Sequence, residues 1–513
     1  MNARPTTDRH GMPPGTRQQR AAGGRDTRAA EGRALLRLAV PIMLIALVNM
    51  GMSLTDTVMV SAWFGADALA AVAVGSDLQS IAFYLGAGIL AGIAPFYTAA
   101  LARGDERERL RLDRIGRVLV MALAMVGVPL IWFAPDWLRL LGLDAGLLER
   151  GRGYTQSMAA LLLPMLGIAL YRTVLTAAER PKVFLVVTLA MLPLNAVANY
   201  VLMTGMGPVP ALGPTGAGVS SVLVALTSLS VLVVVARRTL PPAGADVQAP
   251  AVDGRGLWTV LRVGLPIGIT MTAETGLFLG ATLYAATLGS AEVAAHTLTL
   301  RMAGIAYAGS AAMLQAATVR TARAMALQDP GAARAVATAS LGLATAGGVA
   351  LLLLLGAGAR PLAAAFFGDD AAGLAAAEIA AGLLMLLGLI QVAGYPGLAA
   401  SGLLRGRKDS RTPMLCMLAG YWGVGVPLGL YLCEAQALGV TGLWIGLATG
   451  AAATTVLTLL RLPASHRARV RHRAAGGDAS AHASAARVDD PEPTATRTAD
   501  AMAARSWRWL RRA

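Results

Sequence analysis

The sequence predicts an all-α polytopic membrane protein with twelve transmembrane helices in two six-helix lobes related by pseudo-two-fold symmetry. Three observations carry that expectation: an apolar composition, twelve apolar runs and an internal repeat. Of 513 residues, 56% are apolar and 14% charged, against about 45–50% and roughly 25% in soluble chains. So few charges cannot cover a soluble surface. A spanning helix takes about 20 apolar residues, so this composition supplies roughly a dozen.

Residues 1–33 form a polar tail rich in Arg, Gly and Pro, without the apolar stretch of a secretory signal. Spans are then expected at 35–62, 69–101, 115–135, 154–178, 183–206 and 213–236, an N-lobe over 34–236. The first span contains Pro41, which interrupts the backbone ladder and is read as a hinge. The second is far longer than the minimum, which permits tilt or a kink. A Pro/Ala/Gly-rich cytoplasmic linker (237–257) leads to the C-lobe, 258–461, with spans at 258–287, 293–319, 335–356, 375–403, 412–433 and 438–460. Residues 462–513 are polar and expected to be a disordered cytoplasmic tail, its Trp507–Arg512 end read as solvated rather than membrane-bound.

The net charge of +15 points to membrane orientation rather than to nucleic acid, because the charge lies in the tails and in short loops between spans. One set of loops and span ends holds 19 Lys and Arg, the opposite set only Arg139, Arg150, Arg152 and Arg360. By the excess of positive charge on cytoplasmic loops, both termini are cytoplasmic. Cys416 and Cys433 fall on one expected helix, roughly 25 Å apart at about 1.5 Å per residue, too far to bond.

The repeat is the more informative feature. Val260-Leu261-Arg262-Val263-Gly264-Leu265-Pro266-Ile267 restates Leu35-Leu36-Arg37-Leu38-Ala39-Val40-Pro41-Ile42 at an offset of 225, and Gly439-Val440-Thr441-Gly442 restates Gly213-Pro214-Thr215-Gly216 at 226. Each half has six spans, an even number, so the halves share topology and are related by an axis along the membrane normal. Two such lobes around a central cleft are the architecture of an alternating-access transporter.

Several motifs carry a resemblance to a known family. They are Thr55-Asp56-Thr57-Val58-Met59-Val60, Gly213-Pro214-Thr215-Gly216-Ala217-Gly218-Val219, Glu274 in span seven, Leu404-Arg405-Gly406-Arg407-Lys408-Asp409 and Tyr421-Trp422 with Pro427-Leu428-Gly429. In order and spacing the chain resembles the multidrug and toxic compound extrusion (MATE) family over roughly 35–461, and NorM-like members in particular. The resemblance implies a monomeric plasma-membrane antiporter, in a bacterium an inner-membrane protein. It would export cationic and amphipathic compounds in exchange for H⁺ or Na⁺, with no other cofactor. The alternative within the superfamily is a flippase for lipid-linked saccharides, for which more cleft arginines than Arg301 are expected.

A charge at the bilayer centre costs about 2.5–3.5 kcal/mol on insertion scales, so each needs a reason. Asp56 lies fifteen residues after Pro41, and Asn195 and Asn199 share one face of span five at i,i+4. The resemblance places these three with Ser221 inside the N-lobe. A desolvated carboxylate among neutral amides can take up and release a proton near physiological pH; an oxygen cage for Na⁺ is the other reading. Some Na⁺-linked relatives carry a second carboxylate where Asn199 stands here, so the single carboxylate leans toward H⁺.

The resemblance assigns Glu274 to cation binding in the C-lobe. The carboxylate that often accompanies it in span ten is missing: that position is Gly394, beside Tyr395. Asp77 and Arg301 fall at nearly equivalent depths in opposite lobes and are expected to face the cleft with Glu274 and Tyr395, as an inter-lobe ion pair in one access state. Arg172 is expected to snorkel toward Arg180. His296 is read as a packing or hydrogen-bonding residue. The chain has no HExxH, no paired His, no GxSxG followed by Asp and His, and no P-loop, so neither an enzyme, a metal site nor an ATPase is expected.

Overall fold

The computed structural model describes residues 14–240, 250–368 and 370–485, and the side chains among them except those of 14–26, 66 and 463–485. The far N-terminal tail, residues 241–249 of the linker and the Trp507–Arg512 end lie outside the described residues.

Twelve helices among the described residues are long and apolar enough to cross a membrane. Spans 1–6 are Thr27–Gly65, Asp67–Arg103, Glu106–Trp132, Ala145–Ala177, Pro181–Thr204 and Pro214–Thr239. Spans 7–12 are Gly254–Ala285, Ser290–Ala326, Pro330–Phe366, Ala371–Gly406, Arg411–Glu434 and Gly439–Leu462. The chain is a multi-pass membrane protein of the expected class. The helix Gly439–Ala485 continues beyond the twelfth span, in a separate unit that begins at Leu460.

Local chemistry sets the ends. Spans 3, 4, 7, 9 and 10 open on aspartates, Asp105, Asp144, Asp253, Asp329 and Asp370, whose carboxylates accept a backbone N–H three residues on. Spans 1 and 2 are two helices that meet at Gly65, where φ is 79° and ψ −177°, and span 2 passes a turn at Gly92 and Ile93 before it ends as Ala94–Arg103. The conformation at Gly65 admits only glycine at low cost. Span 1 runs through Pro41, the expected hinge, with helical dihedrals. Span 11 is α-helical at both ends but π-helical over Leu418–Gly425.

The loops holding the concentrated basic charge gather at one end, called here the basic end. The lobes meet there. Leu35, Leu38, Ala39 and Ile42 of span 1 pack on Ala312, Met313, Ala316 and Val319 of span 8. Span 2 crosses span 7 in antiparallel fashion on facing Gly-x-x-x-Gly faces: Gly88 meets Gly268, and Gly92 meets Gly264 so closely that a Cβ at Gly92 would stand 2.5 Å from the Gly264 Cα. Such faces let backbones touch where lipid offers no hydrophobic drive for association.

Beyond this seam an ion-pair clamp joins the lobes. The Arg320 guanidinium of span 8 donates to both oxygens of Glu31 at 2.7–2.9 Å and to Glu179 at 3.0 Å, and Arg323 donates to Glu179 at 3.0 Å. Glu31 opens span 1 and Glu179 follows span 4, so one arginine ties two N-lobe elements to the C-lobe. Glu179 holds this position with φ of 59°, in the left-handed region.

Candidate functional site

The N-lobe site is built from spans 1, 4 and 5. Asp56 enters from span 1, half-buried, and Asn195 and Asn199 are buried on one face of span 5. The Asn199 amide donates to Asp56 Oδ1 at 2.5 Å, and the Asn195 side chain acts on the same carboxylate. The side-chain oxygens Asn195 Oδ1 and Asn199 Oδ1 are buried without a hydrogen-bond partner. Sequence reasoning missed Tyr154 of span 4, which lies in the field of Asp56 and whose hydroxyl is 3.0 Å from Ser76 Oγ. Gly218, facing the Tyr154 ring, makes room for it. Ser221, expected in the cluster, donates instead to the Ala217 carbonyl of its own helix at 3.0 Å.

This arrangement has two chemical uses. Amide N–H donors orient the carboxylate, which can hold one proton. The carboxylate and the two unpartnered amide oxygens can also converge on a small cation.

In the C-lobe, Glu274 accepts from the Tyr307 hydroxyl at 3.1 Å. Arg405 and Tyr421 complete its electrostatic surroundings. Arg405 ends span 10 and reads in sequence as a loop charge, yet its side chain turns back into the lobe, where its Nε is buried without a partner. Tyr421 sits in the π-helical stretch of span 11, a distortion frequent at functional sites. Tyr395 does not join Glu274. It is buried among spans 1, 8, 9 and 10, and its hydroxyl donates to the Ala306 carbonyl at 2.8 Å.

The other expected residues are placed as follows. Asp77 and Arg301 are both exposed, and among the described residues neither has an ion-pair partner within 4.0 Å. The pairing expected between them is not formed in this state. His296 is fully buried: Nδ1 accepts from the Trp444 indole at 3.2 Å, and Nε2 lies 3.1 Å from Thr282 Oγ1. An indole only donates and the Thr282 hydroxyl also bonds the Phe278 carbonyl, so the ring is neutral with its proton on Nε2. This is the hydrogen-bonded packing role expected of it. Arg172 does not snorkel to the loop; it lines a cavity between the lobes.

Two six-helix lobes that meet at one end, each with a half-buried carboxylate on its inner helices, define a multi-pass membrane transporter. The family profile of MatE matches residues 41–201 and 266–431. The chain belongs to that family and is NorM-like. It is 32% identical over 435 residues to a "Probable multidrug resistance protein NorM" of Bradyrhizobium diazoefficiens, covering 83% of this chain and 92% of the relative. A protein of the same name from Burkholderia pseudomallei is 33% identical over 439 residues, 83% of this chain and 91% of that one. A mutant of the Vibrio cholerae MATE transporter VcmN shares the fold with a TM-score of 0.76 at 16% identity, over 86% of this chain and 98% of that structure. The outward-facing conformation of a multidrug resistance MATE family transporter is similar at a TM-score of 0.75 and 18% identity, over 85% and 97%.

Proposed function

We propose that the protein is a monomeric secondary active exporter of cationic and amphipathic compounds, driven by H⁺ entering against the substrate. It would reside in the plasma membrane with the basic end, and so both termini, in the cytoplasm, as the loop-charge asymmetry supports. The names of its NorM relatives support export of drugs. The observation that carries the coupling is the Asp56 carboxylate, bonded by Asn199 beside the buried Asn195, with no second acid acting on it among the described residues. The C-lobe offers a poor Na⁺ site, because the fixed guanidinium of Arg405 already acts on Glu274.

The closed basic end supports an outward-facing state. A proton entering from outside reaches Asp56 and removes its charge, weakening its hold on the Asn199 amide. Span 1, which carries both Asp56 and the Glu31 end of the clamp, links the two events. Coupling then requires that proton and substrate favour different access states. One specific observation favours Na⁺ as a second reading: the two unpartnered asparagine oxygens beside Asp56.

The test is efflux of a fluorescent organic cation from cells expressing wild type or Asp56→Asn, with pH and Na⁺ gradients imposed separately. Export under a pH gradient alone, abolished in Asp56→Asn, is the expected result. Export that follows only Na⁺ moves the assignment to the second reading. Export unchanged in Asp56→Asn removes Asp56 as carrier.

A further inference from the structure

Asp77 and Arg301 are charges inside membrane spans, and among the described residues neither has an ion-pair partner within 4.0 Å. Their depths match. Asp77 lies ten residues into span 2 from Asp67, and Arg301 eleven residues into span 8 from Ser290. At about 1.5 Å per residue, each stands about 15 Å from the outer end, opposite the basic one. The repeat offset of 225 sets Arg301 on Ser76, beside Asp77, so the two charges are near-equivalents across the pseudo-two-fold axis.

Helix rotation turns both toward the other lobe. Gly75 and Gly86, on the side of span 2 away from Asp77, pack on Thr155 and Leu166 of span 4 in the same lobe. Gly88, on the Asp77 side, meets Gly268 of span 7 in the other lobe. Span 8 repeats the pattern. Ala317, on the side away from Arg301, packs near Gly402 of span 10 in its own lobe. Ala308 and Ala312, in line with Arg301, border a small seam cavity with Ile45 and Ala46 of span 1. Toward the outer end the same two faces carry exposed residues, Ala73 and Asp77 on span 2 and Thr297 and Arg301 on span 8.

We propose that Asp77 and Arg301 are the clasp of the outer mouth: the guanidinium takes the carboxylate when that end closes, as Arg320 holds Glu31 and Glu179 at the basic end now. Water in an open cleft serves each charge separately. Closure brings the two faces together and drives that water out, and a lone dry charge within the membrane is expensive. Opposite charges at one depth meet each other's need through a charge-assisted contact. Each access state then makes one set of ion pairs and hydrates the other. This rests on the alternating-access reading and supplies the contact that defines its second state.

The test places Ala73→Cys and Thr297→Cys, one turn outward of the charges on the same faces, in the full chain with Cys416 and Cys433 changed to Ser. The protein in liposomes is treated with a short bifunctional methanethiosulfonate. Cross-links accumulate whenever the mouth closes, so their rate reads the closed fraction however small it is. Asp77→Arg and Arg301→Asp alone each slow cross-linking by about tenfold or more, the scale of a hydrogen bond to a charged group. Exchanging the two charges restores the rate. Asp77→Asn and Arg301→Gln, mild changes at exposed positions, each slow it by a smaller factor, and together are no slower than either, because no lone charge remains. Labelling of each cysteine by a monofunctional reagent at the parent rate identifies folded protein. No cross-link in the parent, an exchange as slow as the single reversals, or a rate that no variant moves overturns the clasp. Cross-linking needs neither substrate nor gradient, whereas the export reading is tested by efflux under a pH gradient, so either can fail without the other.

Discussion

Replacing Arg320 by Gln should open the basic end. Arg320 makes a forked contact to Glu31 and a second one to Glu179, with side chains only 15%, 14% and 26% exposed. Exposed pairs are worth about 0–1 kcal/mol, and removing one partner of a fully buried pair costs about 3–5 kcal/mol. This half-buried clamp belongs between, at about 2 kcal/mol. All of that acts on the closed state alone, because the partners separate when the lobes part. At about 1.4 kcal/mol per factor of ten, the ratio of open to closed rises about 30-fold. A basic end open about 1% of the time would then be open about a quarter of the time. The assay is a pair of spin labels at Lys182→Cys and Leu327→Cys, both exposed and on opposite lobes, with Cys416 and Cys433 changed to Ser. Double electron–electron resonance should show a longer-distance population in Arg320→Gln, and a smaller one in Glu31→Gln, which leaves the Glu179 contact. Distance distributions identical to the parent in both variants would refute the clamp as a determinant of closure.

Three further outcomes follow from the same geometry. Gly264→Ala places a methyl against the Ile89 carbonyl. Overpacking of this kind costs about 1–3 kcal/mol, so the same spin-label pair should shift toward the open basic end, whereas a bulky change at the exposed Leu265 should not. His296→Phe leaves the Trp444 indole and Thr282 hydroxyl facing an apolar ring; the loss of about 1–3 kcal/mol should lower thermal stability, while His296→Gln recovers part of it and keeps the wild-type pH dependence of transport. At the basic end Asp253 caps span 7 and pairs with Arg111, which holds its carboxyl below the ordinary carboxylate range. A depressed value means the stabilisation is complete above the ordinary range and is lost as pH falls through the depressed value. Melting temperatures of wild type and Asp253→Ala should therefore differ at neutral pH and converge only in strong acid.

The spans were legible because lipid demands an unbroken apolar helix, and Asp56 stood out because charges inside such helices are rare, though its grouping with Asn195 and Asn199 came from the family resemblance. The ends were harder. Span 9 runs from Pro330 to Phe366 although its apolar run is only 335–356, because Arg334 and Arg360 interrupt apolarity without interrupting a helix. Span 4 likewise begins at Ala145, behind the Asp144 cap, with Glu149, Arg150 and Arg152 on its first turns. The site residues that escaped notice did so for a different reason. Which way Arg405 and Arg172 point depends on helix rotation against neighbours distant in sequence, and neither periodicity nor loop charge reports that. Tyr154 is one aromatic among apolar neighbours until Gly218 is seen to leave space for it. Tyr395 erred in the opposite direction: adjacency in sequence to the missing carboxylate suggested a cleft residue, and packing placed it in the core.

The glycine faces where span 2 crosses span 7 bear on speed. Interlocked side chains must change rotamer before two helices can separate, and each such change raises the barrier. Gly88, Gly92, Gly264 and Gly268 present backbone to backbone, so there is nothing to disengage, and the surfaces can part as two planed boards do. Besides the packed side chains of spans 1 and 8, what resists parting is a small set of charges at the rim around Arg320. An edge arranged this way works as a latch rather than a ratchet: ionic contacts at the rim hold it shut, and whatever neutralises them loosens it.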